Sequence, residues 1–481
     1  MKYTNPIIKG FNPDPSVCRV DNDYYLAVST FEYYPGIAIY HSDDLINWKL
    51  INHCIHNCDE LDFSQFGNSG GIWAPTIRHN NGRFYVTATI DKVGNVITYT
   101  DNICGTWSKL IPVEMGGIDP SLYFEGEHAY YCTNENSGNG EAITICEINP
   151  DTGKLLGKKK EIWHGAGDGW LEAPHIYKRN DWYYIFTAEG GTSYNHELTI
   201  GRSRRLFGDY EQCPFNPVLT NRNDTSKSIL CAGHADLIDD CSGNLYIVHL
   251  GTRPCSNQKS NLGRETFLTP IRYVDGWFHV DTKKAALENE ISGCKKQISN
   301  NEFFTDFSGK NFEKEWLFLN YRNVSRNNIL ILNSQGTVLT LAAIRQPDFE
   351  CDAEAEFEFQ PESIGDESGL IIYLQSDFNY RLCKTKREDG SYITVQKYAE
   401  DFVQTAYEEK IDEGKITVSI RADKKFYYFY YSINNAPLRE LCRASTHFMC
   451  AEVPERCFTG TLIGLYAIGR SPASFYSFKM K

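Results

Sequence analysis

The sequence predicts an all-β protein, a five-bladed β-propeller followed by a β-sandwich. Three observations predict it. A unit of anchor residue, short strand, polar turn and aromatic strand recurs five times before His279. From residue 302 onward, apolar and polar residues alternate with a period of two between turn signals. Up to His279 no long stretch carries the 3.6-residue periodicity of an amphipathic helix.

The five units are taken in order. Asp14-Pro15-Ser16-Val17 leads through Asp21-Asn22-Asp23 to Tyr24-Tyr25-Leu26, and Ala74-Pro75-Thr76-Ile77 through Asn80-Asn81-Gly82 to Phe84-Tyr85-Val86. Asp119-Pro120-Ser121-Leu122 leads through Gly126-Glu127 to Tyr130-Tyr131, and Ala173-Pro174-His175-Ile176 through Arg179-Asn180-Asp181 to Tyr183-Tyr184-Ile185. The fifth unit lacks the proline: Ala235-Asp236-Leu237-Ile238 leads through Ser242-Gly243-Asn244 to Leu245-Tyr246-Ile247. Each reads as a β-hairpin. The anchors 14, 74, 119, 173 and 235 are 60, 45, 54 and 62 residues apart, which suits four-stranded propeller blades. Residues 1–282 are thus assigned to the propeller. Residues 283–301, with Lys283-Lys284 and Glu288-Asn289-Glu290, read as a polar linker. Residues 302–481 carry runs such as 353–359, 369–373 and 416–420 and read as an antiparallel sandwich. Its many apolar strands predict a fixed interface with the propeller, with Lys384–Ser391 as a loop able to reach a neighbour.

Composition narrows the function. The 481-residue chain is 23% charged and 41% hydrophobic, enough for large cores. A net charge of −14 speaks against nucleic-acid or anionic-membrane partners and suits a neutral ligand, such as a small oligosaccharide. Met1 to Phe11 has no apolar leader core, and no run is long enough to span a bilayer, so a cytoplasmic location is expected. Sixteen cysteines are scattered singly and read as reduced core thiols. His53, Cys54, His56 and Cys58 cluster, but other ligands are scattered, which disfavours zinc. Oligomeric state, including a homo-oligomer, stays open.

In a propeller the first strand of each blade lines the central channel, so the anchors converge. Asp14 and Asp119 are anchors themselves, and Glu172 precedes one. Three carboxyl groups would meet at one mouth. Glu172 follows Trp170-Leu171 and precedes Ala-Pro, a setting poor in water that favours its protonated form, as a general acid requires. Taken singly, Glu172 could instead cap a loop or pair with an arginine, and Asp14, between Pro13 and Pro15, could form an Asx turn. The repeat of Asp-Pro-Ser at Asp119 weakens the turn reading. His234 sits at the fifth anchor and reads equally as a core histidine or a site residue. Arg264 could form a surface ion pair or hold a carboxylate or sugar hydroxyl. Phe31 and Trp73 fit the core or a platform for a sugar's C–H face. Two carboxyls across such a pocket suit glycoside hydrolysis.

The chain resembles glycoside hydrolase family 43. The resemblance is carried by Phe11-Asn12-Pro13-Asp14-Pro15-Ser16, Ser29-Thr30-Phe31-Glu32, Gly71-Ile72-Trp73-Ala74-Pro75, Ile118-Asp119-Pro120-Ser121-Leu122, Leu171-Glu172-Ala173-Pro174-His175, Thr187-Ala188-Glu189-Gly190-Gly191-Thr192, Gly233-His234-Ala235 and Leu262-Gly263-Arg264-Glu265-Thr266. It extends over essentially the whole chain, including the sandwich of two-domain β-xylosidase and α-L-arabinofuranosidase members. It implies inversion at the anomeric carbon, with Asp14 as general base, Glu172 as general acid and Asp119 tuning and orienting Glu172. It places His234 and Arg264 in the pocket, and Phe31 and Trp73 in the wall of the terminal-sugar subsite. In some members the channel histidine lies beside calcium, so calcium near His234 is allowed, although two-carboxylate hydrolysis requires no cofactor. Two stretches depart from the family pattern: 134–140 lacks an aromatic residue, and the loop 255–261 is short. Both bear on the leaving-group side.

The expected activity is exo-acting inverting release of terminal α-L-arabinofuranosyl and/or β-D-xylosyl residues from hemicellulose-derived oligosaccharides. An endo-arabinanase would need an open groove, which a docked sandwich should block. A non-catalytic glycan-binding propeller would not need all three carboxylates. A retaining fructan-active propeller would carry Asn-Asp-Pro-Asn-Gly or Arg-Asp-Pro, and neither occurs.

Overall fold

The computed structural model describes residues 2–135, 140–298 and 302–481. Among them the regular structure is β-strand, with three short 3-10 turns and no α-helix. Five antiparallel sheets form the propeller. Their innermost strands are Ser16–Val20, Ile72–Asn80, Ile118–Glu125, Glu172–Arg179 and Leu230–Asp239. Each of these contacts its neighbours on both sides, so the five close a ring around the channel.

The polar turns set the hairpin register. Val20 faces Asp23, Asn80 faces Arg83, Glu125 faces His128 and Arg179 faces Trp182, each across a two-residue turn. Asn81 and Gly82 have φ of 49° and 78°, and Asn180 and Asp181 have 48° and 62°, the left-handed pairs that match a hairpin's twist. The chain start closes the circle. Ile8 bridges Thr266 on the third strand of blade five, Glu265–Val274, and Thr266 Oγ1 donates to the Asn12 carbonyl at 2.7 Å. The segment read as a polar linker also joins the fold: Glu288–Glu290 pairs antiparallel with Lys2–Thr4, and Ala285 is buried.

The second domain is a sandwich of an eight-stranded and a seven-stranded sheet. Cys351–Phe359 shows how the sequence forms it, because its alternate residues 351, 353, 355, 357 and 359 are all buried. Lys384–Ser391 is not a reaching loop. Arg387 pairs with Gly390 across a two-residue turn, so most of that stretch is hairpin strand. The domains share an apolar cluster in which Phe11, Phe31 and Tyr33 of the propeller pack with Leu317, Tyr373 and Tyr466 of the sandwich. Tyr34 and Phe318 exchange backbone hydrogen bonds across the boundary at 3.1 and 2.7 Å.

Candidate active site

One backbone device recurs at the inner end of every blade. Asp14, Ala74, Asp119, Ala173 and His234 all have positive φ, from 25° to 54°. In blades two to five the inner-strand register breaks around this residue, as a β-bulge does. A non-glycine residue there is strained. The bulge re-aims the kinked residue and the one before it, which brings Asp14, Trp73, Asp119, Glu172 and His234 to one mouth of the channel.

Asp14 is buried and held from two sides. Arg264 Nη1 donates to Oδ1 at 2.7 Å, and Ser29 Oγ donates to Oδ2 at 2.6 Å. The Asn12 amide donates to the Arg264 carbonyl at 3.0 Å, so propeller closure itself places Arg264 against Asp14. His234 Nδ1 lies 3.9 Å from Asp14 Oδ1.

Glu172 is half-buried at the start of its strand. Burial and then the charge of Asp14 push its carboxyl up to about 7, against the pull of Arg264. Asp119 is buried, and its carboxyl is pushed well up by burial, then by Glu172 and Asp14; Arg264 and the Ala173 amide oppose this. The two raised carboxyls titrate together. Near neutral pH this group of three carboxyls therefore retains a proton to donate.

Arg264 also donates through Nη2 to the Phe458 carbonyl at 3.0 Å, and its guanidinium lies over the Phe31 and Phe458 rings at 5.6 and 5.7 Å. Phe31 is buried, and Trp73 Nε1 donates to the Ser69 carbonyl at 3.2 Å. All seven residues expected from the sequence thus fall in this region. Phe458 was not foreseen: it comes from the sandwich, and the Phe458 amide donates to Ser69 Oγ at 2.9 Å. Glu141 and Glu189 were also missed as supports for Glu172. Glu141 Oε2 accepts from the Leu171 amide at 2.9 Å, and Glu189 accepts from the amides of Ala166, Gly167 and Asp168 at 2.6 to 3.1 Å. Glu189 lies in the quoted Thr187–Thr192 motif, which gave no clue to its partners. Residues 136–139, in the stretch noted for lacking an aromatic residue, lie outside the described residues, as do 299–301.

Deeper in the channel, Asp236 accepts hydrogen bonds from Arg78, Ser16 and Tyr177, and Arg78 also contacts His175 Nδ1 at 2.9 Å. Burial alone would raise the Asp236 carboxyl, but Arg78 and then His175 hold it well below the usual range. This charge-balanced knot joins blades one, two, four and five beneath the mouth. Around His234 the side chains are rich in imidazole: His175 lies 6.5 Å from it ring to ring, and the facing carboxylate of Asp14 is occupied by Arg264. Calcium takes six to eight oxygen ligands, and these residues do not form such a cage.

Comparison with known proteins agrees with this architecture. Residues 3–278 match the model of glycosyl hydrolases family 43, and residues 305–481 match the β-xylosidase C-terminal concanavalin A-like domain. A non-reducing end α-L-arabinofuranosidase of Bacteroides ovatus is 34% identical over 496 residues, covering 98% of this chain and 92% of that protein. A β-xylosidase of Bacillus subtilis is 31% identical over 538 residues, covering 100% of both. The solved structure of Bacteroides ovatus Xyloglucan PUL GH43B superimposes with a TM-score of 0.95 at 32% identity, covering 100% of each chain. With its propeller matched throughout by the family model and its full length by relatives above 30% identity, the chain belongs to glycosyl hydrolases family 43 and is a glycosidase.

Proposed function

We propose that this glycosidase is exo-acting and inverting, and that it removes single terminal α-L-arabinofuranosyl or β-D-xylosyl residues from hemicellulose-derived oligosaccharides. The observation that carries the reading is the meeting of Asp14, Asp119 and Glu172 at a channel mouth walled on one side by Phe458 of the sandwich. Glu172, with its raised carboxyl, donates a proton to the leaving oxygen. Asp14, held in one orientation by Arg264 and Ser29, takes a proton from the water that attacks the anomeric carbon from the opposite face. Asp119 tunes and orients Glu172, the two raised carboxyls sharing the proton that the site retains. Phe31 and Trp73 offer rings to the terminal sugar. The names of the relatives support both pentoses as substrates. No metal enters these steps.

The test follows hydrolysis of nitrophenyl α-L-arabinofuranoside and β-D-xylopyranoside by proton NMR. The first-formed sugar should have the opposite anomeric configuration to the substrate. A product of retained configuration overturns the inverting assignment, and internal chain cleavage of a longer oligosaccharide overturns the exo assignment.

A further inference from the structure

We propose that Cys255 of the propeller and Cys450 of the sandwich form a reversible disulfide that locks the two domains together. All sixteen cysteines are free thiols, and these two lie on opposite sides of the domain boundary with their sulfurs 3.4 Å apart. A disulfide bond needs a sulfur separation of about 2.05 Å, so the two sulfurs have roughly 1.4 Å left to close.

The backbone around the pair is already docked. The Ala451 amide donates to the Ser260 carbonyl at 3.0 Å, and the Ser260 amide donates to Glu452 Oε2 at 2.9 Å. Asn261 Nδ2 donates to the Tyr427 hydroxyl at 2.7 Å. The two thiols therefore meet with little conformational search. They also differ in character. Cys255 is half-buried, and its contact with Cys450 holds its thiol down to about 7, whereas the buried Cys450 thiol is pushed up. The more accessible sulfur is thus the better nucleophile.

With hydrogen peroxide as oxidant, Cys255 gives up its proton, the thiolate attacks one peroxide oxygen, the O–O bond breaks, and the departing hydroxide takes up that proton, so a sulfenic acid and one water form. The Cys450 sulfur then displaces the sulfenic oxygen as a second water. Two thiols and one hydrogen peroxide give one disulfide and two waters. A thiol reductant reverses the step. The link joins the loop that leads into Arg264 to the segment that leads into Phe458. It therefore secures the two pieces of chain that close the pocket, without occupying the pocket itself.

The test treats the full-length protein with graded hydrogen peroxide and digests it without reduction for mass spectrometry. The expected result is a cross-linked peptide containing Cys255 and Cys450, lighter by two hydrogens than its parts. It should form before the exposed Cys104 and Cys241 are oxidised and disappear with dithiothreitol. The oxidised protein should unfold at higher temperature and keep its pentosidase activity, while Cys255→Ser and Cys450→Ala should abolish the shift. Oxidation of Cys104 and Cys241 with Cys255 and Cys450 still unlinked would overturn the proposal, even if both variants failed to fold. So would a link between other cysteines.

Discussion

Arg264 grips Asp14 across the seam where the propeller closes, Nη1 to Oδ1 at 2.7 Å, although the two residues lie 250 positions apart. Asp14 comes from the first blade and Arg264 from the last, so this carboxylate is oriented only when the ring is complete. Asp14→Asn should lower kcat by roughly 10²–10⁴ while leaving pentose binding nearly intact, as measured by product inhibition. Restoration of activity by azide with a product of retained configuration would indicate a nucleophile at this position instead.

Glu172→Ala should lose far more activity on natural linkages than on aryl glycosides with acidic leaving groups. A departing nitrophenolate needs no proton, so its release should survive within about tenfold while natural substrates fall by roughly 10²–10⁴. Side-by-side kcat/KM values on a xylo-oligosaccharide and a nitrophenyl glycoside check this. Equal losses would remove Glu172 from the acid role.

The raised carboxyl of Glu172 gives two pH dependences. Activity on natural linkages should decline as pH rises through about 7, as the acid loses its proton. Stability should move in the same direction. Between the ordinary value of 4.5 and about 7, the unfolded chain has released a proton that the folded protein still holds, so stability falls as pH rises across that window and then levels off. Denaturant unfolding across the window should show this slope, reduced in Glu172→Gln. An unchanged slope in the variant would assign the effect to other groups.

Phe458→Ala removes a ring but keeps the backbone carbonyl that accepts from Arg264. Loss of about 1–2 kcal/mol of apolar contact should raise KM roughly tenfold with a smaller change in kcat. An unchanged KM would place the Phe458 ring outside the occupied pocket.

A chain cut after His279 should aggregate. It would expose Phe11, Phe31, Tyr33 and Tyr34, which are buried in the intact protein. Size-exclusion chromatography decides this. A soluble monomer that still releases only single pentoses would show that the sandwich neither supports the propeller nor walls the pocket.

The propeller was legible because each blade repeats its own local grammar. Asn81-Gly82 and Asn180-Asp181 state their turns in adjacent residues, and the aromatic strand follows at once. Asp14, Asp119 and Glu172 could be placed together because position within a repeat translates into position around an axis. Phe458 could not, because its contact with Arg264 spans 194 residues and two unrelated repeats of structure, and no periodicity connects them. Glu288–Glu290 was hidden for a different reason: it is a largely exposed strand that pairs with Lys2–Thr4 over only three residues, too short for alternation to register. Lys384–Ser391 misled because charged residues occupy strand positions near a sheet edge.

The kinked residue at each inner strand has a bearing on how such a site could be rebuilt. Blade two has the bend at Ala74 without any polar group on it, and blade four has it at Ala173. The bend therefore belongs to the scaffold, and the chemistry is a choice of side chain made on top of it. Each blade offers two addressable sockets, the bent residue and its predecessor: Pro13 with Asp14, Trp73 with Ala74, Ile118 with Asp119, Glu172 with Ala173, Gly233 with His234. Ala74 and Ala173 sit at the bent position itself and Ile118 just before it, so each marks an apolar place in the pattern where another blade carries a carboxyl group.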